Sequence, residues 1–134
     1  MSAIDFIQEV MKPLFPGLMG VHLIEVAPER IVASMEVRPD LCTVGDILHG
    51  GAIMAFADTL GGVATFVNLT KGLRTTTIES KTNFFGAASV GTRIIGECTP
   101  LHRGRTTMVW QTLVKSENGK TCAMVIQTQM ILSD

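Results

Sequence analysis

Apolar residues recur along this chain at two spacings, which predict two helices and a set of strands. Residues 3–12 have the helical spacing of a short amphipathic helix that ends before Pro13. A longer helix is predicted from Gly50 or Gly51 to Phe66, and it is apolar on nearly every face. Because a helix that is apolar all round is a buried helix, we expect it to lie at the centre of the fold.

Alternation of apolar and polar side chains predicts six strands around that helix. They are expected at about residues 18–26, 30–37, 74–84, 91–102, 106–116 and 120–132. Turn-forming segments join neighbouring strands, among them Ala27-Pro28-Glu29 and the hairpin signal Asn118-Gly119. Residues 38–48 are predicted to form a loop. One antiparallel sheet whose apolar face covers the helix satisfies this order, so we expect an α+β fold and a single domain over residues 1–134.

Composition narrows the functional classes. Of the 134 residues, 46% are hydrophobic, which is high for so short a chain and predicts apolar surface buried between subunits. The net charge of −1 provides no basic field, so nucleic-acid binding is not expected. Asp58 and four glycines interrupt the longest apolar run, so no membrane span is expected either.

The three cysteines, Cys42, Cys98 and Cys122, have no CxxC spacing, and residues 1–13 lack the basic start of a secretory signal. These two features predict a cytoplasmic protein whose thiols are free and buried. No cluster of histidine, cysteine and carboxylate residues has the spacing of metal ligands, so no metal site is expected.

Asp58 is the only formally charged residue between Ile47 and Thr70. A lone carboxylate in apolar surroundings is costly unless it is paired, hydrogen-bonded or protonated. Folding gives no reason to accept that cost, so Asp58 is the leading candidate for chemistry.

The segment Leu48-His49-Gly50-Gly51, with Asp58 nine residues after the histidine, resembles the signature of hotdog-fold acyl-CoA thioesterases. The chain is most similar to the phenylacetyl-CoA thioesterase branch, which includes the thioesterase superfamily member 2 type. The likeness runs from the first hairpin to the last strand. It implies a hotdog fold, in which an antiparallel sheet wraps around one long helix. It also implies hydrolysis of an acyl-CoA to a free acid and CoA, with water as co-substrate and no cofactor.

Thioester hydrolysis needs an oxyanion donor and an attacking group. Backbone N–H groups at a helix N-terminus suit the first task, and the resemblance points to the N–H of Gly50. Asp58 is the candidate for the second, either as a nucleophile that forms a mixed anhydride or as a general base for water. His49 is expected to orient the oxyanion loop rather than to transfer protons.

Gly50 and Asp58 cannot act on one carbonyl from the same helix, because eight residues of helix span roughly 12 Å. The resemblance implies a two-fold partner with an antiparallel helix, which gives two composite sites in each homodimer. Members of the family commonly pair two such dimers into a tetramer.

Two further positions follow from the resemblance. The family has a serine or threonine on the third strand that assists the carboxylate, and the matching residue is Thr77, which shares a strand face with Thr75. Many relatives carry an asparagine six residues before the histidine, where this chain has Thr43. Thr43 can donate one hydrogen bond but lacks an amide. Asp46 is an additional carboxylate without an assigned role.

Arg103 and Arg105 flank Gly104 in a turn and are expected to hold the phosphates of CoA, with Lys81 as a weaker candidate. Two other functions fit the same fold. One is a non-catalytic module that binds acyl-CoA, and the other is a dehydratase acting on hydroxyacyl thioesters. The two glycines after His49 argue against the dehydratase. The sequence leaves the choice between an aryl and an alkyl acyl group open.

Overall fold

A computed structural model describes residues 1–133 as three helices, one helical turn and eight strands. The helices are α1 (Ala3–Met11), α2 (Phe15–Met19) and α3 (Gly50–Phe66), and a 3-10 turn covers Pro39–Leu41. The strands are β1 (His22–Ala27), β2 (Arg30–Glu36), β3 (Cys42–Thr43), β4 (Ile47–Leu48), β5 (Arg74–Phe84), β6 (Arg93–Arg103), β7 (Thr107–Ser116) and β8 (Thr121–Leu132). None of the helices in this part of the chain has the length and apolarity that crossing a membrane requires.

Six of the strands form an antiparallel sheet in the order β1-β2-β6-β7-β8-β5, so β1 and β5 lie at its two edges. The two short strands β3 and β4 form a separate hairpin that leads into α3. Helix α3 packs across one face of the large sheet and contacts β2, β5, β6, β7 and β8. The predicted arrangement of one sheet around one central helix is confirmed.

Close packing at the middle of the sheet fixes the position of α3. Phe56 and Leu60 are fully buried and lie over Gly96 of β6, where an added Cβ would come within 2.6 Å of Phe56 Cε2. Near the end of the helix, Trp110 Nε1 on β7 donates a hydrogen bond of 2.8 Å to Thr65 Oγ1. These contacts leave the helix little freedom to slide or rotate, and they hold Asp58 towards the β5 edge.

The first predicted strand is wrong in its first half. Residues 15–19 form the short helix α2 instead, because Pro16 lies in its first turn and Gly20 ends it with a left-handed φ of 85°. The strand begins only at His22. The predicted loop over residues 38–48 also contains the small β3–β4 hairpin. The remaining strand ends agree with the prediction to within two residues.

Helix α1 is tied to the first strand by one side chain. Gln8 Nε2 donates to the carbonyl of Val21 at 2.9 Å, and Gln8 Oε1 accepts from the N–H of Leu23 at 2.8 Å. Ile7 and Met11 are buried on the inner face of the helix. Helix α1 is therefore fixed in place beside the central helix and is not a loose N-terminal segment.

Candidate active site

The N-terminus of α3 presents a backbone N–H that no protein group accepts. His49 is the N-cap residue, and its Nδ1 accepts a hydrogen bond of 2.7 Å from the N–H of Gly51. Within residues 1–133, the N–H of Gly50 has no hydrogen-bond acceptor. The cap therefore occupies one of the two glycine donors and leaves the other open at the positive end of the helix dipole. Because Nδ1 accepts, the proton of a neutral His49 lies on Nε2.

Asp58 lies half-buried on α3, eight residues further along the helix. The hydroxyl of Thr77 on β5 donates to Asp58 Oδ1 at 2.6 Å. This short, charge-assisted bond connects the helix to the sheet's edge strand. The structure thus brings together the strand threonine and the carboxylate that the resemblance pairs, and Thr75 lies on the same strand face as Thr77.

Two buried glutamines behind this pair were not identified from the sequence. Gln129 Nε2 on β8 donates to Thr77 Oγ1 at 2.5 Å and to Gln127 Oε1 at 2.5 Å. Gln127 Nε2 in turn donates to the carbonyl of Ala57 at 2.9 Å. The signal was present in the chain, because both glutamines follow Val125 at two-residue intervals on the inward face of a strand. Polar residues at inward positions are unusual.

An apolar pocket of about 490 Å³ opens beside the carboxylate, between α1, α3 and β5. Its polar lining includes Asp58, Thr75, Thr77 and Gln129. Its apolar lining includes Phe6, Ile7, Val10, Met11, Val63 and Phe66. A pocket of this volume with a few convergent polar groups is typical of a small-molecule site.

The other predicted catalytic residues lie at a second location. Thr43, in the β3–β4 hairpin, and Gly50 line one shallow depression together with Phe84. His49 lies beside them at the start of α3, and its exposed imidazole borders another depression with Gly51. Within one described chain, these residues do not reach the pocket that contains Asp58.

Arg103 and Arg105 are both exposed and lie at the end of β6 and just after it. Arg103 Nη1 is 3.4 Å from the carbonyl of Pro28 and 3.4 Å from Asn68 Oδ1, just past the C-terminal end of α3. Lys81 is exposed on β5. Among the residues that the structure describes, these three cations do not line the pocket beside Asp58.

Two of the three cysteines are buried and offer no competing nucleophile. The prediction of burial is wrong for the third, Cys42, which is half-buried. Burial raises the pKa of the Cys98 thiol to about 11 and also raises the pKa of the Cys122 thiol. Both thiols are therefore protonated near neutral pH, whereas a cysteine nucleophile reacts as the thiolate. Across residues 1–133, no group of three or more metal-ligating side chains comes together.

The sequence of this chain is similar to a known protein family and to named proteins. The family model described as the thioesterase superfamily matches residues 45–123. The proofreading thioesterase EntH of Cronobacter turicensis is 30% identical over 104 residues, which cover 78% of this chain and 75% of that protein. The 1,4-dihydroxy-2-naphthoyl-CoA hydrolase of Escherichia coli is 28% identical over 116 residues, which cover 87% of this chain and 85% of that protein.

Solved structures share the complete fold. A thioesterase from Haemophilus influenzae superimposes with a TM-score of 0.93 over 99% of this chain and 92% of that one, at 22% sequence identity. The similarity includes α1 as well as the sheet and the central helix, and it confirms the predicted hotdog fold.

Proposed function

Because this chain belongs to the thioesterase superfamily and is a thioester hydrolase, we propose that it hydrolyses acyl-CoA thioesters with Asp58 at the reacting carbonyl. The observation that carries the proposal is the Asp58–Thr77 pair on the polar side of the apolar pocket. An acyl group bound in this pocket has its carbonyl at the pocket mouth, beside the carboxylate. The similarity to a naphthoyl-CoA hydrolase supports CoA as the thiol portion.

The two oxygens of Asp58 have different tasks in this proposal. Oδ1 accepts from Thr77, whereas no group in residues 1–133 donates to Oδ2. As a general base, Oδ2 takes a proton from the water that attacks the thioester. As a nucleophile, Oδ2 forms a mixed anhydride and CoA leaves before water hydrolyses the anhydride. A single turnover in heavy-oxygen water separates the routes, because only hydrolysis of the anhydride carries the label into Asp58.

The oxyanion donor is proposed to come from a second copy of the chain. Eight helical residues separate Gly50 from Asp58, roughly 12 Å along the axis, and the two residues line different depressions. Strand β5 lies at a sheet edge and exposes the side chains of Ile78 and Phe84, and Phe85 just after the strand is exposed as well. A copy paired along this edge with an antiparallel α3 brings its Gly50 N–H towards Asp58. We expect these homodimers to pair into a tetramer, which light scattering measures.

Arg103 and Arg105 are proposed to bind the CoA phosphates, with Lys81 in a weaker role. Exposed cations on a turn can reach a diphosphate without an enclosed loop. Replacing both arginines with alanine is expected to raise KM for an acyl-CoA. KM for the matching acyl-pantetheine thioester, which lacks the nucleotide, should stay unchanged. An equal rise for both substrates would contradict the assignment.

The function itself is tested by a hydrolysis assay over aryl and alkyl acyl-CoAs, with Asp58→Asn alongside the wild type. Asp58→Asn should lose nearly all activity, whereas Asp5→Asn, a matched change on the exposed face of α1, should keep it. Binding of acyl-CoA without hydrolysis by the wild type would indicate a binding module. Hydration of an enoyl-CoA without release of CoA would indicate a dehydratase. Full activity of Asp58→Asn would remove Asp58 from the mechanism.

A further inference from the structure

The inner face of β8 holds two amide side chains below the carboxylate. Gln127 is fully buried and Gln129 is 1% exposed. A buried amide left without partners is strongly unfavourable, so both amides must be hydrogen-bonded where they are. Their partners form one continuous chain that ends at Asp58.

The directions of the bonds that the two amides make follow from one backbone carbonyl. The carbonyl of Ala57 can only accept, so it faces Gln127 Nε2, at 2.9 Å. Gln127 Oε1 must then face the other amide and accept from Gln129 Nε2, at 2.5 Å. The second proton of that nitrogen points to Thr77 Oγ1, also at 2.5 Å. On the other side, Gln129 Oε1 accepts from the hydroxyl of Thr75 at 2.9 Å.

Thr77 lies between one acceptor and one donor. A carboxylate can only accept, so the proton of Thr77 is directed to Asp58 Oδ1, at 2.6 Å. Gln129 Nε2 donates to the oxygen of the same hydroxyl. A hydroxyl without that neighbour can rotate away from the carboxylate. The amides therefore hold the Thr77 hydroxyl in the orientation in which it donates to Asp58.

We propose that Gln129, held in its orientation by Gln127, is a positioning residue that fixes the orientation in which the Thr77 hydroxyl donates to Asp58. The inference rests on the proposed function, because it assigns Gln129 a role only through Asp58. With Oδ1 held, Oδ2 is presented to the thioester in a single orientation. A rotating carboxylate would spend part of its time with neither oxygen aligned, which lowers the rate of the chemical step.

Gly61 on α3 makes room for the Gln127 amide. It lies on α3 directly over the Gln127 amide, and an added Cβ would overlap the side chain of Gln127. A glycine in the middle of a helix is less favourable than an alanine. This cost is explained by the room that the amide requires. Gly62, the next residue, has open space around its Cβ position.

The test is a double-mutant cycle on kcat between Gln129→Met and Thr77→Val. Methionine keeps the length of the side chain but cannot hydrogen-bond to Thr77. Thr82→Val is the matched control, because Thr82 Oγ1 is also a buried hydroxyl on β5 and has no partner within residues 1–133. Gln127→Leu combined with Gln129→Met removes both amides together, which avoids leaving one of them unpaired.

Gln129→Met is expected to lower kcat about tenfold, the effect of one hydrogen bond, with KM changed less than about twofold. Thr77→Val should lower kcat by about 10–100-fold, because its bond is to a charged group. In the Thr77→Val background, Gln129→Met should reduce kcat by less than about a further twofold. Thr82→Val should leave kcat unchanged.

Equal effects of Gln129→Met in both backgrounds would overturn the inference, because they would show that Gln129 does not act through Thr77. Unchanged kcat in Gln129→Met would overturn it as well. If Gln129→Met does not fold, the variant lacking both amides carries the same comparison. Asp58→Asn distinguishes a failure of the inference about Gln129 from a failure of the proposed function. Its loss of activity together with an unaffected Gln129→Met refutes only the inference, whereas its full activity refutes the proposed role of Asp58.

Discussion

Replacing Gly50 with proline tests the oxyanion donor by removing one hydrogen atom from the backbone. Gly50 is the first residue of α3, the helical position at which proline is most readily accommodated. The preceding residue, His49, has φ −61° and ψ 136°, which is the conformation that a following proline favours. The Gly50 N–H has no acceptor in residues 1–133, so the substitution breaks no bond of the folded chain.

The structural cost of the substitution is small and can be measured separately. A Cβ at residue 50 lies 3.2 Å from two ring atoms of Phe84, whose half-exposed side chain can move aside. Gly50→Ala introduces the same Cβ and keeps the N–H, so it is the matched control. We expect the two variants to unfold within about 1 kcal/mol of each other, with proline also reducing the entropy of the unfolded chain.

The catalytic effect should be much larger than the structural one. Loss of one oxyanion-hole donor lowers kcat by about 10²–10³-fold. We therefore expect Gly50→Pro to lose this factor relative to Gly50→Ala, measured as release of free CoA at saturating substrate. Similar kcat values for the two variants would refute the assignment of the Gly50 N–H as the oxyanion donor.

The same variant tests whether the site is shared between two chains. Gly50→Pro and Asp58→Asn should each be nearly inactive alone. In a composite site, a mixed dimer of the two variants keeps one intact site, because one chain supplies Asp58 and the other supplies Gly50. Refolding them together in equal amounts should restore about a quarter of the wild-type activity, since half of the dimers are mixed. A mixture that stays inactive would place both groups in one chain.

Three further predictions concern the pocket, the helix cap and a buried thiol. Val10→Trp should raise KM for long acyl chains more than for acetyl-CoA, because Val10 lines the pocket, whereas Leu14→Trp, on an exposed site outside the pocket lining, should not. His49→Ala should lower the free energy of unfolding by about 1 kcal/mol through loss of the helix cap, measured by denaturant titration. An unchanged free energy of unfolding would show that the His49 side chain does not stabilise the helix as its cap. The raised pKa of Cys98, about 11 against about 9 for an unburied thiol, stabilises the fold below pH 9, and this contribution is lost as the pH rises from 9 to 11. The difference in free energy of unfolding between wild type and Cys98→Ala should therefore narrow from pH 9 to pH 11. A difference that stays constant would contradict the raised pKa of Cys98.

Local patterns in the chain were sufficient for most of the fold. The apolar run over residues 50–66 predicted the buried helix, because few other elements accept so many apolar side chains. Period-two alternation predicted four long strands after it, and these strands form as predicted. The prediction failed over residues 18–21, where a proline and a left-handed glycine favour a short helix over a continuous strand.

The sequence also singles out the candidate catalytic residue, because Asp58 is the one charge in an apolar helix. The resemblance pointed to Thr77 as the partner of that charge, but nothing in the local pattern revealed the two glutamines behind it. Thr77 lies 19 residues away and Gln129 lies 71 residues away along the chain, and only the pairing of β5 with β8 brings them together under α3. Side-chain hydrogen bonds of this kind depend on the register and packing of distant elements, which local spacing does not encode. Tertiary structure therefore decided how the carboxylate is oriented, whereas the sequence decided that there is one carboxylate to orient.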